Sequence, residues 1–122
     1  MEFLLDRSIH RPLINYENKF GQTPLIRACL IGNHIIVSAL LKRKAKINQQ
    51  NIFGKIALHY AVCVGSERCT QILLENGADP NLHDFKGISA FSAAEENGFP
   101  YIQKIMVRFC FFRGYFYFTI SY

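Results

Sequence analysis

Four cysteines in 122 residues are too few, and Cys29, Cys63, Cys69 and Cys110 too irregularly spaced, for the disulfide framework of a small secreted fold, so reduced thiols are expected. Acidic residues are also scarce. Nine Asp and Glu stand against fourteen Lys and Arg, and the net charge of +5 favours acidic partners without requiring nucleic acid. No uninterrupted apolar run approaches the roughly 20 residues that cross a bilayer. Residues 1–11 carry Glu2 and Asp6 and lack the basic start and long apolar stretch of a secretory leader. A Gly-rich phosphate loop, a strand-helix nucleotide fingerprint and a G-x-S-x-G turn are all missing. At 50% hydrophobic and 19% charged residues the chain is too apolar for disorder, and it is too short for two ordinary cores. The expectation is one intracellular domain, cytoplasmic or nuclear, with no membrane partner and no small-molecule substrate.

His59, Cys63 and Cys69 form the one cluster with ligand chemistry, because residues four apart share a helix face and present a nitrogen and a sulfur to zinc. No second pair lies at ligand spacing, and His10, His34 and His83 are scattered. A nucleophilic cysteine needs a base nearby, and Cys63 with His59 is again the only local pair. No metal, no cofactor and no catalytic residue is therefore expected; the chain reads as a non-enzyme.

Sliding the sequence against itself changes the picture. At a shift of 33 it aligns without a gap: Gly21, Gly54 and Gly87 fall in register, as do Leu25, Leu58 and Phe91, then Ala28, Ala61 and Ala94, then Gly32, Gly65 and Gly98. Ile36, Cys69 and Ile102 follow, then Leu40, Leu73 and Met106, while Asn15, Asn48 and Asn81 mark the junctions. A fixed period of this length signals a repeat architecture.

The first unit shows how each one folds. Thr23 and Pro24 start a helix, the hydroxyl capping free amides and the proline fitting the first helical position. Leu25, Ala28 and Cys29 continue at helical spacing until Gly32, and a second helix runs from about His34 to Arg43 with Ile36, Val37, Leu40 and Leu41 on one stripe. The small Ala28, Ala61 and Ala94 let helices approach closely. Residues 49–54 read as a tight turn projecting from the stack. Two short helices cannot bury both apolar faces alone, so the units must stack into an all-α solenoid.

These residues resemble the ankyrin repeat family. The motifs are N-K-F-G-Q-T-P-L with A-C-L-I-G, A-L-H-Y-A with L-L-E-N-G-A-D-P-N, and D-F-K-G with S-A-A-E-E-N-G. The resemblance divides the chain into a degenerate N-terminal cap at 1–17, three repeats at 18–50, 51–83 and 84–107, the last truncated, and a non-repeat tail at 108–122. It implies stacked helix-turn-helix units with projecting hairpins, and a scaffold or adaptor that binds another protein. Two departures stand out. The family pairs a Thr at the helix start with a His three residues later, but Thr23 is followed by Ile26 and His59 is preceded by Ile56, so His59 reads as a relic. Lys44 occupies the place of Gly77, where a left-handed cap costs a non-glycine about 1 kcal/mol.

The family's binding positions, carried over one by one, are Lys19, Phe20 and Gln22, then Ile52, Phe53 and Lys55, then Phe85, Lys86 and Ile88 at the tips. Arg27, Leu30, Ile31, Tyr60, Cys63, Val64, Glu96 and Asn97 follow on the groove side of the first helices. Phenylalanines at projecting turns are either interface anchors or props folded back on neighbouring hairpins. Charge is uneven: seven basic and no acidic residues lie in 18–66, six acidic and three basic in 67–107. Lys42, Arg43, Lys44 and Lys46 form a basic cluster that offsets a helix dipole or, less simply, meets nucleic acid, which is not an expected partner.

After Val107 the period stops, and 109–122 hold eight of the 17 aromatics. Three readings stay open for the tail: a membrane anchor, which Arg108, Arg113 and Gly114 interrupt; a segment that binds a partner or folds back; and non-family sequence from another exon. The last would make the chain a truncated or splice-variant fragment of a longer repeat protein without independent function. Residues 115–120 are strand-prone and uncharged, an aggregation signature.

Overall fold

Each period opens on a short polar side chain that turns the backbone on itself. Asn18 Oδ1 accepts from the amides of Phe20 and Gln22 (2.9 and 3.0 Å), Asn51 Oδ1 from Phe53 and Lys55 (both 3.0 Å), and Asp84 Oδ1 from Lys86 and Ile88 (both 2.9 Å). Side-chain acceptors of this kind close a tight turn without help from a strand ladder. In all three turns the glycine amide returns to the carbonyl of that first residue at 2.9 Å. A computed structural model describes residues 14–112, with side chains through Phe109. The expected cap residues up to Leu13 and the aromatic run at 115–120 lie outside the described residues.

Beyond the first and third turns a hydroxyl starts a helix. Thr23 Oγ1 accepts from the Ile26 amide (3.3 Å) at the head of α1 (Pro24–Ile31), and Ser89 Oγ accepts from Ser92 (3.1 Å) at the head of α5 (Ala90–Asn97). Ile56 offers no such acceptor before α3 (Ala57–Cys63). The second helices are capped in the same manner: Asn33 before α2 (His34–Lys42), and Ser66 before α4 (Glu67–Glu75). The sixth helix, α6 (Pro100–Phe112), is continuous across Val107, where the sequence period ends. α2 stops at Lys42, and the amide of the expected last residue, Arg43, caps it by bonding back to Ala39 and Leu40.

Helices of seven to nine residues are too short to persist in water, so packing supplies their stability. α1, α3 and α5 form one row and α2, α4 and α6 a second; each helix touches its hairpin partner and the next member of its own row. Leu25, Leu58, Leu40, Leu73, Ile102 and Met106 are fully buried between the rows, at about 1.5–3 kcal/mol for each such side chain. Ala28, Ala61 and Ala94 are buried with essentially no exposed surface. Among the described residues there is no strand, only an isolated bridge between His83 and Ser89.

The aligned asparagines join one unit to the next. Asn15 Oδ1 accepts from the Lys46 amide (2.9 Å), and Asn48 Oδ1 accepts from Asp79 (3.0 Å) while its Nδ2 donates to the Gly77 carbonyl (3.3 Å). Lys44 is the one described non-glycine residue in the left-handed region, at φ 65°, where Gly77 has φ 97°. The expected strain in the first unit is therefore present.

Candidate binding face

Successive hairpins are tied tip to tip. The Ile52 amide donates to the Phe20 carbonyl (3.1 Å) and the Phe85 amide to the Phe53 carbonyl (3.0 Å), the same bond repeated one period on. The fit is close at the glycines. A Cβ on Gly54 would lie 2.5 Å from Phe85 Cδ1 and 2.7 Å from its amide nitrogen, and one on Gly21 would lie 3.1 Å from Asn51 Cα and Ile52 N. Glycine at 21 and 54 thus serves both the turn, at φ 73° and 76°, and the neighbouring hairpin.

Of the two roles that the sequence left open, the prop is present at Phe85, and all three phenylalanine side chains remain exposed. Phe85 lays its ring on Gly54 and still exposes 73% of its surface, while Phe20 and Phe53 expose 43% and 52%. Beside them Ile52, Lys19 and Lys86 are exposed, and Gln22, Lys55 and Ile88 are half-buried. On the odd-numbered helices Arg27, Leu30, Ile31, Cys63, Val64, Glu96 and Asn97 are exposed and Tyr60 is half-buried. None of the carried-over positions is buried. Other exposed apolar side chains stand apart from this face, notably Ile35 on α2 and Tyr101 on α6.

Of the three lysines stationed over aromatic rings among the described residues, two belong to this face and the third, Lys104 over Tyr101, lies on α6. Lys19 Nζ lies 5.3 Å from the Phe20 ring centre and Lys55 Nζ 5.7 Å from that of Tyr60. The Tyr60 ring is held in place by its hydroxyl, which accepts from Asn51 Nδ2 at 2.6 Å.

His59 is a working part of the stack rather than a relic. Its Nδ1 accepts from the Ile56 amide (3.1 Å), which leaves the proton on Nε2 to donate to the Ile88 carbonyl of the next unit (3.0 Å). A backbone amide supplies the first bond, so His59 keeps it although isoleucine stands at position 56. Burial pushes the His59 pKa below its ordinary 6.5; the Ile88 carbonyl and Asp84 oppose this, and Lys55 and His83 add to it. The imidazole is neutral at physiological pH, as acceptance from the Ile56 amide requires. Burial alone would raise the Asp84 carboxyl, but the amides of Ile88 and Lys86, with His59 and Lys55, hold it below its ordinary value.

The His59, Cys63 and Cys69 cluster is dispersed. Cys63 is exposed, His59 spends both nitrogens on backbone, and Cys69 is buried beside Cys29. A hydrogen bond from Cys29 lowers the Cys69 thiol to about 6 against the effect of burial, with Ser66 assisting, while the Cys29 thiol is raised. Among the described residues no three His, Cys, Asp or Glu side chains gather as metal ligands, and no helix is long and apolar enough to cross a membrane. A shallow cleft of about 200 Å³ between α5 and α6, lined by Phe91, Ala94, Glu95, Gln103, Met106 and Val107, contains none of the expected binding residues.

The turn clamps at Asn18, Asn51 and Asp84 were open to discovery, since they too recur at 33 residues. The Asn51–Tyr60 and His59–Ile88 links had no comparable signal, because each occurs in one unit alone. No curated protein matches the chain. A family model described as ankyrin repeats in three copies matches residues 1–84, more than two thirds of the sequence. With six helices in two rows among the described residues and hairpins bonded at a constant interval, the chain belongs to the ankyrin repeat family, whose members are generally modules for protein–protein interaction.

Proposed function

We propose that this chain is a non-catalytic scaffold or adaptor module that holds a protein segment across its hairpin tips and the exposed faces of α1, α3 and α5. The units at 18–50, 51–83 and 84–107 contribute Lys19, Phe20, Gln22, Arg27, Leu30 and Ile31, then Ile52, Phe53, Lys55, Tyr60, Cys63 and Val64, then Phe85, Lys86 and Ile88. The observation that carries the reading is the pairing of exposure with order. Phe20, Ile52 and Phe53 offer apolar surface to water, yet they sit on turns locked by Asn18 and Asn51 and bonded to the next hairpin. Rigid aromatic anchors lose little entropy on binding, which is what makes such side chains dominate interfaces.

The test places a photo-crosslinking amino acid at position 53 or 31 and, as a control, at Gln71, which is exposed on the second row of helices. In cells, adducts to one discrete set of proteins are expected from 53 and 31 and not from 71, and they should vanish in a Phe20→Ala background that keeps its circular dichroism. Equal adducts from all three positions would refute the reading.

A further inference from the structure

We infer that the segment this face accepts is acidic and amphipathic, with its carboxylates over the first two units and its apolar side chains against Phe20, Phe53 and the helix-row residues. The inference rests on the binding reading above and adds the partner's chemistry and direction.

The face can be read position by position along the period. Its in-register sets are Lys19, Ile52 and Phe85; Phe20, Phe53 and Lys86; Gln22, Lys55 and Ile88; Arg27, Tyr60 and Ala93; Leu30, Cys63 and Glu96; Ile31, Val64 and Asn97. The first two units therefore present Lys19, Arg27 and Lys55 and no carboxylate. The only acid among these sets is Glu96, in the third. This follows from a wider asymmetry, since 18–66 contains seven cations and no acid. Lys42, Arg43, Lys44 and Lys46, all exposed at the end of α2 and in the loop after it, lie off the face but add to the positive potential that would steer an acidic partner.

Among the described residues no carboxylate forms an ion pair with Lys19, Arg27 or Lys55. Asp84 is near enough to feel Lys55, but it is buried and its Oδ1 accepts from Lys86 and Ile88. Lys19 and Lys55 are stationed over the rings of Phe20 and Tyr60, so an apolar anchor docking there must also cover an ammonium group. Covering a cation without a counter-charge is unfavourable, and a basic partner would be repelled as well. An acidic, amphipathic segment satisfies ring and cation together. The lone Glu96 sets the direction: the partner's acidic portion lies toward the first unit, and whatever reaches α5 is neutral or basic.

A polyanion such as nucleic acid fits less well. The three cations of the first two units are few against the six to ten phosphate contacts of a strongly salt-dependent nucleic-acid complex, and although Phe20, Phe53 and Tyr60 offer rings, Leu30, Ile31, Ile52 and Val64 between them are aliphatic and give a base no stacking partner.

The experiment selects random dodecapeptides displayed on phage against the full chain, then measures the enriched peptides by fluorescence polarisation. Three proteins are compared: the wild type; a Lys19→Gln, Arg27→Gln, Lys55→Gln variant; and a Phe20→Ala, Phe53→Ala variant, each checked by circular dichroism. The expected peptides combine Asp and Glu with aromatic or branched residues. Their affinity falls roughly tenfold between about 50 and 200 mM salt, falls similarly in the Gln variant, and is lost in the Ala variant. Neutral or basic peptides that still need Phe20 and Phe53 would overturn the acidic assignment and leave the binding face standing. Peptides indifferent to Phe20 and Phe53 would overturn the binding face itself. Oligothymidylate that competes with the peptides and binds more tightly than any of them would overturn the choice of a protein partner.

Discussion

Replacing Gly54 by alanine separates the contribution of hairpin stacking from that of turn conformation. Gly54 and Gly87 occupy equivalent turns at φ 76° and 83°, so alanine at either must adopt the left-handed region, at about 1–2 kcal/mol, partly offset by the roughly 0.4–1 kcal/mol that a less flexible unfolded chain returns. Their surroundings differ. Among the described residues a Cβ at 87 meets nothing within 4 Å, whereas one at 54 lies 2.5 Å from the Phe85 ring and 2.7 Å from the Phe85 amide, the group that bonds to Phe53. Overlap with a backbone atom cannot be relieved by a rotamer change. Gly87→Ala is therefore expected to lower stability by about 1 kcal/mol, and Gly54→Ala by about 2–4 kcal/mol once overpacking is added. Gly21→Ala, with its nearest backbone atoms at 3.1 Å, falls between them. Urea unfolding followed by circular dichroism reads all three. Equal losses at 54 and 87 would show that the hairpins do not lean on one another.

Lys44→Gly relieves the left-handed φ of 65° and should raise stability by about 0.5–1 kcal/mol after the entropy of the unfolded chain is counted; a loss in urea unfolding would contradict the strain. Because the folded protein holds His59 below 6.5, the unfolded chain takes up this proton first. Its contribution is full above about pH 6.5 and declines as pH drops below that, by at most about 1.4 kcal/mol per pH unit. A His59→Gln variant should lose this part of the pH slope, and parallel profiles for the two proteins would refute it. Thr70 is fully buried and its hydroxyl has no hydrogen-bond partner among the described residues, so Thr70→Val, which preserves the shape, should stabilise by about 1 kcal/mol. Destabilisation in a thermal melt would mean that the hydroxyl is satisfied.

Much of this fold was legible because repetition averages out local ambiguity. Thr23 and Pro24 at a helix start, Gly32 at its end and the stripe of Val37 and Leu40 occupy their structural roles, and Lys44 was recognisable as strained from its alignment with Gly77. The role of His59 was not legible. Its partners are the amide of Ile56 and the carbonyl of Ile88, and backbone groups leave no mark in a sequence. The same holds for the bonds between Phe20 and Ile52 and between Phe53 and Phe85, which turn separate tips into one surface. Exposure at Phe85 could not be read either, since a ring can rest on Gly54 and still face water. The period locates a unit's residues; it does not report how neighbouring turns touch.

Amide hydrogen exchange at the tips of the native protein tests most directly whether the hairpins form one continuous, ordered surface. Ile52 and Phe85 are exposed side chains on projecting turns, yet their amides donate to the preceding hairpin. The account predicts that both exchange at least about a hundredfold more slowly than an unprotected amide, and that Gly54→Ala accelerates Phe85 selectively. Exchange of both at the rate of a free turn in the wild type would contradict it.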